Sequence, residues 1–162
     1  MMEDSSLLLL LDEVRGKTIR LLNSIPAGFA RWAPAGLQNT ITWHAGHAYF
    51  LLECLTMSAL GRSPRLPEGW DTMFSWDSQP DRVAADRWPA LGELIGQLDA
   101  QHGRMRQLIG KLGAAGLNQP SARNPGETVR RAIVHALHDE ACHCGEIHLL
   151  RKLQAARQVP TK

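Results

Sequence analysis

The stretch from Asn124 to Gln154, NPGETVRRAIVHALHDEACHCGEIHLLRKLQ, decides the fold. Asn124 is a good N-cap, Pro125 suits a first helical position, and Glu127 stands where a capping box places its acid, so a helix is predicted over 125–155. Val129, Ala132, Ile133, Ala136, Ile147 and Leu150 recur at helical spacing and form one apolar face. At roughly 100° per residue, the middle of that face also receives Asp139 and His143, which are four apart and leave the helix side by side. A carboxylate and an imidazole in an apolar stripe need a partner, because burying an unpaired polar group costs about 2–7 kcal/mol. A bound metal is one such partner. A mutual hydrogen bond in a polar core layer is the other.

The remaining histidines of this helix separate by azimuth. His148 lies about half a turn from His143 and faces solvent. His138 and His143 are five apart, so HDEACH is not the zinc-protease pattern H-E-x-x-H. His135 precedes Asp139 by four and flanks the same face, as a reserve ligand or a group that orients one.

Outward from this helix the chain reads as three more. The first is predicted over 5–24, with Leu7, Leu11, Val14, Thr18 and Leu21 as its seam. The second, over 39–60, starts at Asn39 or Thr40 and stops before Gly61. Its apolar face carries Trp43, Phe50, Leu51, Cys54 and Leu55, with His47 at the centre and His44 towards the edge. A lone histidine on such a face is usually satisfied by a backbone carbonyl. Here His47, Asp139 and His143 together offer two imidazoles and one carboxylate from two helices, with positions left for water or substrate. The third helix is predicted over 86–113, and His102 within its stripe is read as a core or ligand-supporting residue. Residues 62–89 hold Trp70, Trp76 and Trp88, and a loop of that length is either a lid or pocket wall, or packing over the bundle.

Composition narrows the class. A chain of 162 residues suits one domain, 1–162, with a core of its own. The net charge is +2 and the 18 basic residues are scattered, which argues against a nucleic-acid partner. Three cysteines, two of them at Cys142 and Cys144 on one helix, fit a reducing, cytoplasmic compartment. The aliphatic run Leu7 to Leu11, preceded by Glu3 and Asp4, is neither a signal peptide nor a membrane span. No segment has a sustained period of two, and there is no Gly-rich phosphate loop and no G-x-S-x-G elbow. The fold class is all-α, a four-helix bundle.

TITWHAGHAYFLLE, PEGWDTMFSW and TVRRAIVHALHDEACHCGEIHLLRKL together resemble the DinB/YfiT-like family of metal-dependent enzymes, over essentially the whole chain. The most specific parts are the second-helix histidine and an H-x-G-[QEH] signature, here His143-Cys144-Gly145-Glu146. The resemblance implies an up-down-down-up bundle, usually dimeric. It also implies a metal held by His47 together with Asp139 and His143. In many members the last-helix pair is two histidines. In the branch that resembles mycothiol-dependent maleylpyruvate isomerase it is an acid followed by histidine. Members with known activity transfer or isomerise thiol conjugates, and others are hydrolases.

Two functions compete on this reading. In the first, a divalent ion (Zn, Ni, Fe or Mn) on His47, Asp139 and His143 lowers the pKa of a bound water or low-molecular-weight thiol, which attacks a small electrophilic substrate under the tryptophan-rich loop. His44 or His135 then moves the proton and Glu146 orients a ligand. In the second, a homodimeric, non-catalytic module binds a small molecule or protein in the same crevice, with the metal structural or absent.

Overall fold

The computed structural model describes residues 5–157; Glu3 and Asp4, part of the membrane argument above, lie outside them. Four long helices dominate: α1 (Ser5–Asn23), α2 (Ile41–Ala59), α4 (Leu91–Leu117) and α5 (Val129–Arg157), with a one-turn α3 (Trp70–Met73) between α2 and α4. Among the described residues the only β feature is an isolated bridge between Pro120 and Thr128. No helix among them is long and apolar enough to cross a membrane.

Side-chain pairing gives the helix directions. Asp12 meets His102 and Arg106, whereas Arg15 meets the Leu98 carbonyl and Gln101, so α1 and α4 are antiparallel. Arg15 pairs with Glu140 and Thr18 with Cys144, so α1 and α5 run parallel. His44 meets His143 while Leu55 shares a cleft with Ala132 and His135, so α2 and α5 are antiparallel. The bundle is therefore up-down-down-up. Since α4 must run parallel to α2, the chain between them has to return the length of the bundle, which is why residues 62–89 are so long. They return along α2 itself. The Tyr49 hydroxyl donates to the Arg65 carbonyl, Trp70 packs edge-on to Tyr49, His47 bonds the Phe74 carbonyl, and Trp43 donates to Ser78. The loop is thus core and wall at once, with Trp70 and Phe74 buried and Trp76 exposed.

Covered by α4, α5 and this return loop, α2 is buried on nearly all sides, at 16 of its 19 residues. Gly46 lets the loop come close: a Cβ there would lie 2.2–2.4 Å from the Phe74 ring.

Two helix starts differ from the sequence expectation. In α5, Asn124 accepts from the Gly126 N–H in a local turn, and Thr128 Oγ1 caps the helix by accepting from the Arg131 N–H. The helix therefore begins at Val129. In α4, Pro89 holds Trp88 in an extended conformation, so Asp86 sits in a separate 3₁₀ turn and the helix begins at Leu91. Gly113 interrupts α4 with φ 56°, four residues before its end.

The buried stripe of α5 passes through Ala136, Leu137, Glu140, Cys144 and Ile147. Its central carboxylate is therefore Glu140, fully buried, with Asp139 and His143 on the flank facing α2.

Candidate metal centre

His44 and His47 leave α2 one turn apart and meet His143 and Glu146 of α5 across the antiparallel contact. Three atoms come together: His44 Nδ1 is 2.9 Å from His143 Nδ1, His143 Nδ1 is 2.8 Å from Glu146 Oε2, and His44 Nδ1 is 3.0 Å from the same oxygen. His44 is almost wholly buried, His143 is partly covered, and about half of the Glu146 side chain meets solvent.

Hydrogen bonds alone do not account for this triangle. An imidazole nitrogen either donates or accepts, never both. With Glu146 ionised, any placement of protons on the two rings leaves one edge carrying no proton or two opposed ones. A cation answers all three edges, because two donors at right angles on an ion about 2.0–2.1 Å away lie about 2.9 Å apart. The residues present thus fit a divalent ion.

His47 lies beside the triangle, its ring centroid 4.9 Å from that of His143. Its Nδ1 is 2.6 Å from the Phe74 carbonyl, which can only accept, so Nδ1 carries the proton and Nε2 keeps a lone pair. Trp43 stacks on it at 4.6 Å and 12°, and Trp76 and Phe50 close its surroundings. Burial lowers the His44 pKa to about 3, helped by His143 and His47. Burial also lowers that of His47 to about 4, with His143 acting the same way and the Phe74 bond and Asp139 opposing. Both rings are neutral at pH 7, the form that donates a lone pair.

The other expected residues are placed as follows. Asp139 is a third exposed, lies within electrostatic reach of His47, and contacts His135 at 3.2 Å and His138 at 3.5 Å. His135 is half exposed and lines a cleft with Trp76 and Arg123. His148 is exposed, on the groove between α1 and α5. His102 bonds Asp12 on the outer side of α1 and α4. Among the described residues, the group of ligand atoms within 4.8 Å of one another is His44, His143 and Glu146; His47 lies beside it, and Asp139 acts on His47 electrostatically. The sequence reading had named His44 and Glu146 for proton transfer and orientation. Their spacing from His47 and His143 carried the signal, but the register between α2 and α5 that joins them is a tertiary property.

A family model described as the DinB superfamily matches residues 10–147. Among solved structures, the chain is similar to a conserved protein from Enterococcus faecalis, with a TM-score of 0.74 over 94% of this chain and 98% of that one. At 19% identity that likeness speaks for the fold. No curated protein matches the chain.

Proposed function

The chain belongs to the DinB superfamily, and from that premise we propose that the crevice between α2 and α5 is the divalent-metal centre of an enzyme acting on a small electrophile. The observation that carries this reading is the triangle of His44, His143 and Glu146, for which a cation is the partner that answers every edge. Two imidazoles and a carboxylate suit Zn, Ni, Fe or Mn and leave positions open. An ion there would supply Lewis acidity and lower the pKa of a coordinated water or low-molecular-weight thiol.

The chain's own residues would do the rest. The Phe74 carbonyl fixes the His47 tautomer so that its Nε2 lone pair can hold a ligand or accept a proton. Trp43, held by Ser78, restricts water on one side of His143, and Trp76 stands edge-on to His47. Asp139 and His135, paired at the mouth, form a route by which a proton leaves towards solvent. Thiol-dependent S-transfer is the first choice of reaction and metal-assisted hydrolysis the second. Leu9 and Leu10, exposed near the start of α1, support association as a homodimer, which light scattering at tens of micromolar would detect.

The test is a titration of metal-stripped protein with Zn(II), Ni(II), Mn(II) and Fe(II), followed by a panel of thiols and electrophiles. The reading expects one ion per chain and electrophile consumption that depends on it. Failure of every ion to bind while the protein stays folded overturns it.

A further inference from the structure

Among the described residues, six large hydrophobic side chains stand exposed, and three of them, Leu37, Leu149 and Leu153, line a single slot. The slot has a volume of about 380 Å³, with Leu150 as its floor and His44 and Glu146 among its lining residues. On one side, Glu146, Leu149, Leu150 and Leu153 follow each other at helical spacing along α5. On the other, the loop at 36–39 supplies Leu37 and two neutral polar side chains, Gln38 and Asn39. Glu146 is the one charged residue in the lining. The sequence reading placed the substrate under the tryptophan-rich loop, whereas this aliphatic approach reaches the triangle between the 36–39 loop and α5.

We infer that this slot binds the substrate's tail, and that the substrate is a small molecule with a polar reactive head and a short, unbranched aliphatic chain. The head would lie at His44, His143 and Glu146, and the tail would run past Leu149 to Leu37 and Leu153. This rests on the metal-centre reading above. Seven residues of helix separate Glu146 from Leu153, roughly 10 Å, room for a chain of about six to eight carbons. The volume falls in the range of small-ligand sites, about 300–1,000 Å³. Three leucines are too little for a second copy of the chain, since a stable interface takes about 800 Å² from each partner. An aliphatic occupant also explains why leucines stand exposed where charged residues would otherwise keep the surface wet.

The experiment is calorimetric titration of the metal-loaded protein with straight-chain hydroxamates from acetohydroxamate to octanohydroxamate. Affinity should rise about two- to fourfold per methylene for the first five or six carbons and then level off; full burial of a methylene corresponds to about fourfold. In Leu149→Asn/Leu153→Asn the rise should flatten, with a loss that grows with tail length. An affinity independent of chain length overturns the inference. So does an unchanged slope in the double variant, including the case where light scattering shows that the variant only separates a dimer. Failure of acetohydroxamate to bind would count against the metal centre instead. The slot is then tested alone, by titrating metal-stripped protein in EDTA with alcohols from ethanol to octanol and following the Leu149 and Leu153 methyl NMR signals. A response that grows with chain length sustains the slot, and none overturns it.

Discussion

Arg15 and Glu140 stand 125 positions apart in the chain and meet as a fully buried, two-pronged ion pair, Nε to Oε1 at 2.8 Å and Nη2 to Oε2 at 2.9 Å. The guanidinium also donates to the Leu98 carbonyl and to Gln101, which in turn donates to the Tyr49 carbonyl and to Glu53, itself held by Arg104. One polar layer therefore ties together all four long helices. Removing one partner strands the other charge, so Glu140→Ala should cost about 3–5 kcal/mol in urea unfolding. The double replacement Arg15→Met/Glu140→Leu should recover most of that loss. A Glu140→Ala cost below about 1 kcal/mol would show the layer to be looser than its geometry.

The contact between Gly46 and Phe74 offers a second test. A methyl on Gly46 would overlap the Phe74 ring, and the same residue's carbonyl holds His47. Gly46→Ala should therefore destabilise the protein by about 1–3 kcal/mol and shift the His47 imidazole resonances. An alanine variant as stable as the parent, with His47 unmoved, would mean that the return loop gives way freely.

Metal-stripped protein should lose stability in acid over a defined range. The folded state holds His44 near pKa 3 and His47 near 4, below the ordinary value of 6.5, so the unfolded chain binds more protons between those limits. Stability from this source is complete above about pH 6.5 and falls as the pH drops towards 4 and below. The urea midpoint should follow that curve, and His44→Gln/His47→Gln should flatten it. A midpoint level from pH 7 to 4.5 would contradict the burial of these rings.

How much of this was legible beforehand depends on whether a residue's partner is local. The spacing of α1 and the cap and spacing of α2 reach their own neighbours, and Thr40 does accept from the Trp43 N–H. Asn124 failed as a cap because Gly126 offered it a tighter turn first. Within α5, the difference between Asp139 and Glu140 is one step of roughly 100°, which a stripe drawn from a few apolar residues does not resolve. What settles it is Arg15 on α1, and periodicity within one helix carries no information about a partner on another. The same holds for His44. Its place beside Glu146 follows from how α2 slides against α5.

The last prediction concerns which side chains would hold the ion. His143 belongs both to the triangle and to the set with His47 and Asp139, so His143→Ala should abolish uptake under either. The close spacing of His44 and Glu146 to it implies that His44→Ala and Glu146→Gln each weaken binding at least about tenfold, the loss expected when one of three protein donors goes. Asp139→Asn should cost only a few-fold, because that carboxylate acts on His47 from a distance and spends its contacts on His135 and His138. His138→Ala should be mild and His148→Ala without effect, since both rings are exposed and neither belongs to the group. Isothermal titration with the ion that binds tightest would read the order directly. If Asp139→Asn proves as damaging as His143→Ala while His44→Ala is tolerated, the donors are His47, Asp139 and His143 instead. If His148→Ala loses metal as readily as His143→Ala, the ion does not bind between α2 and α5 at all.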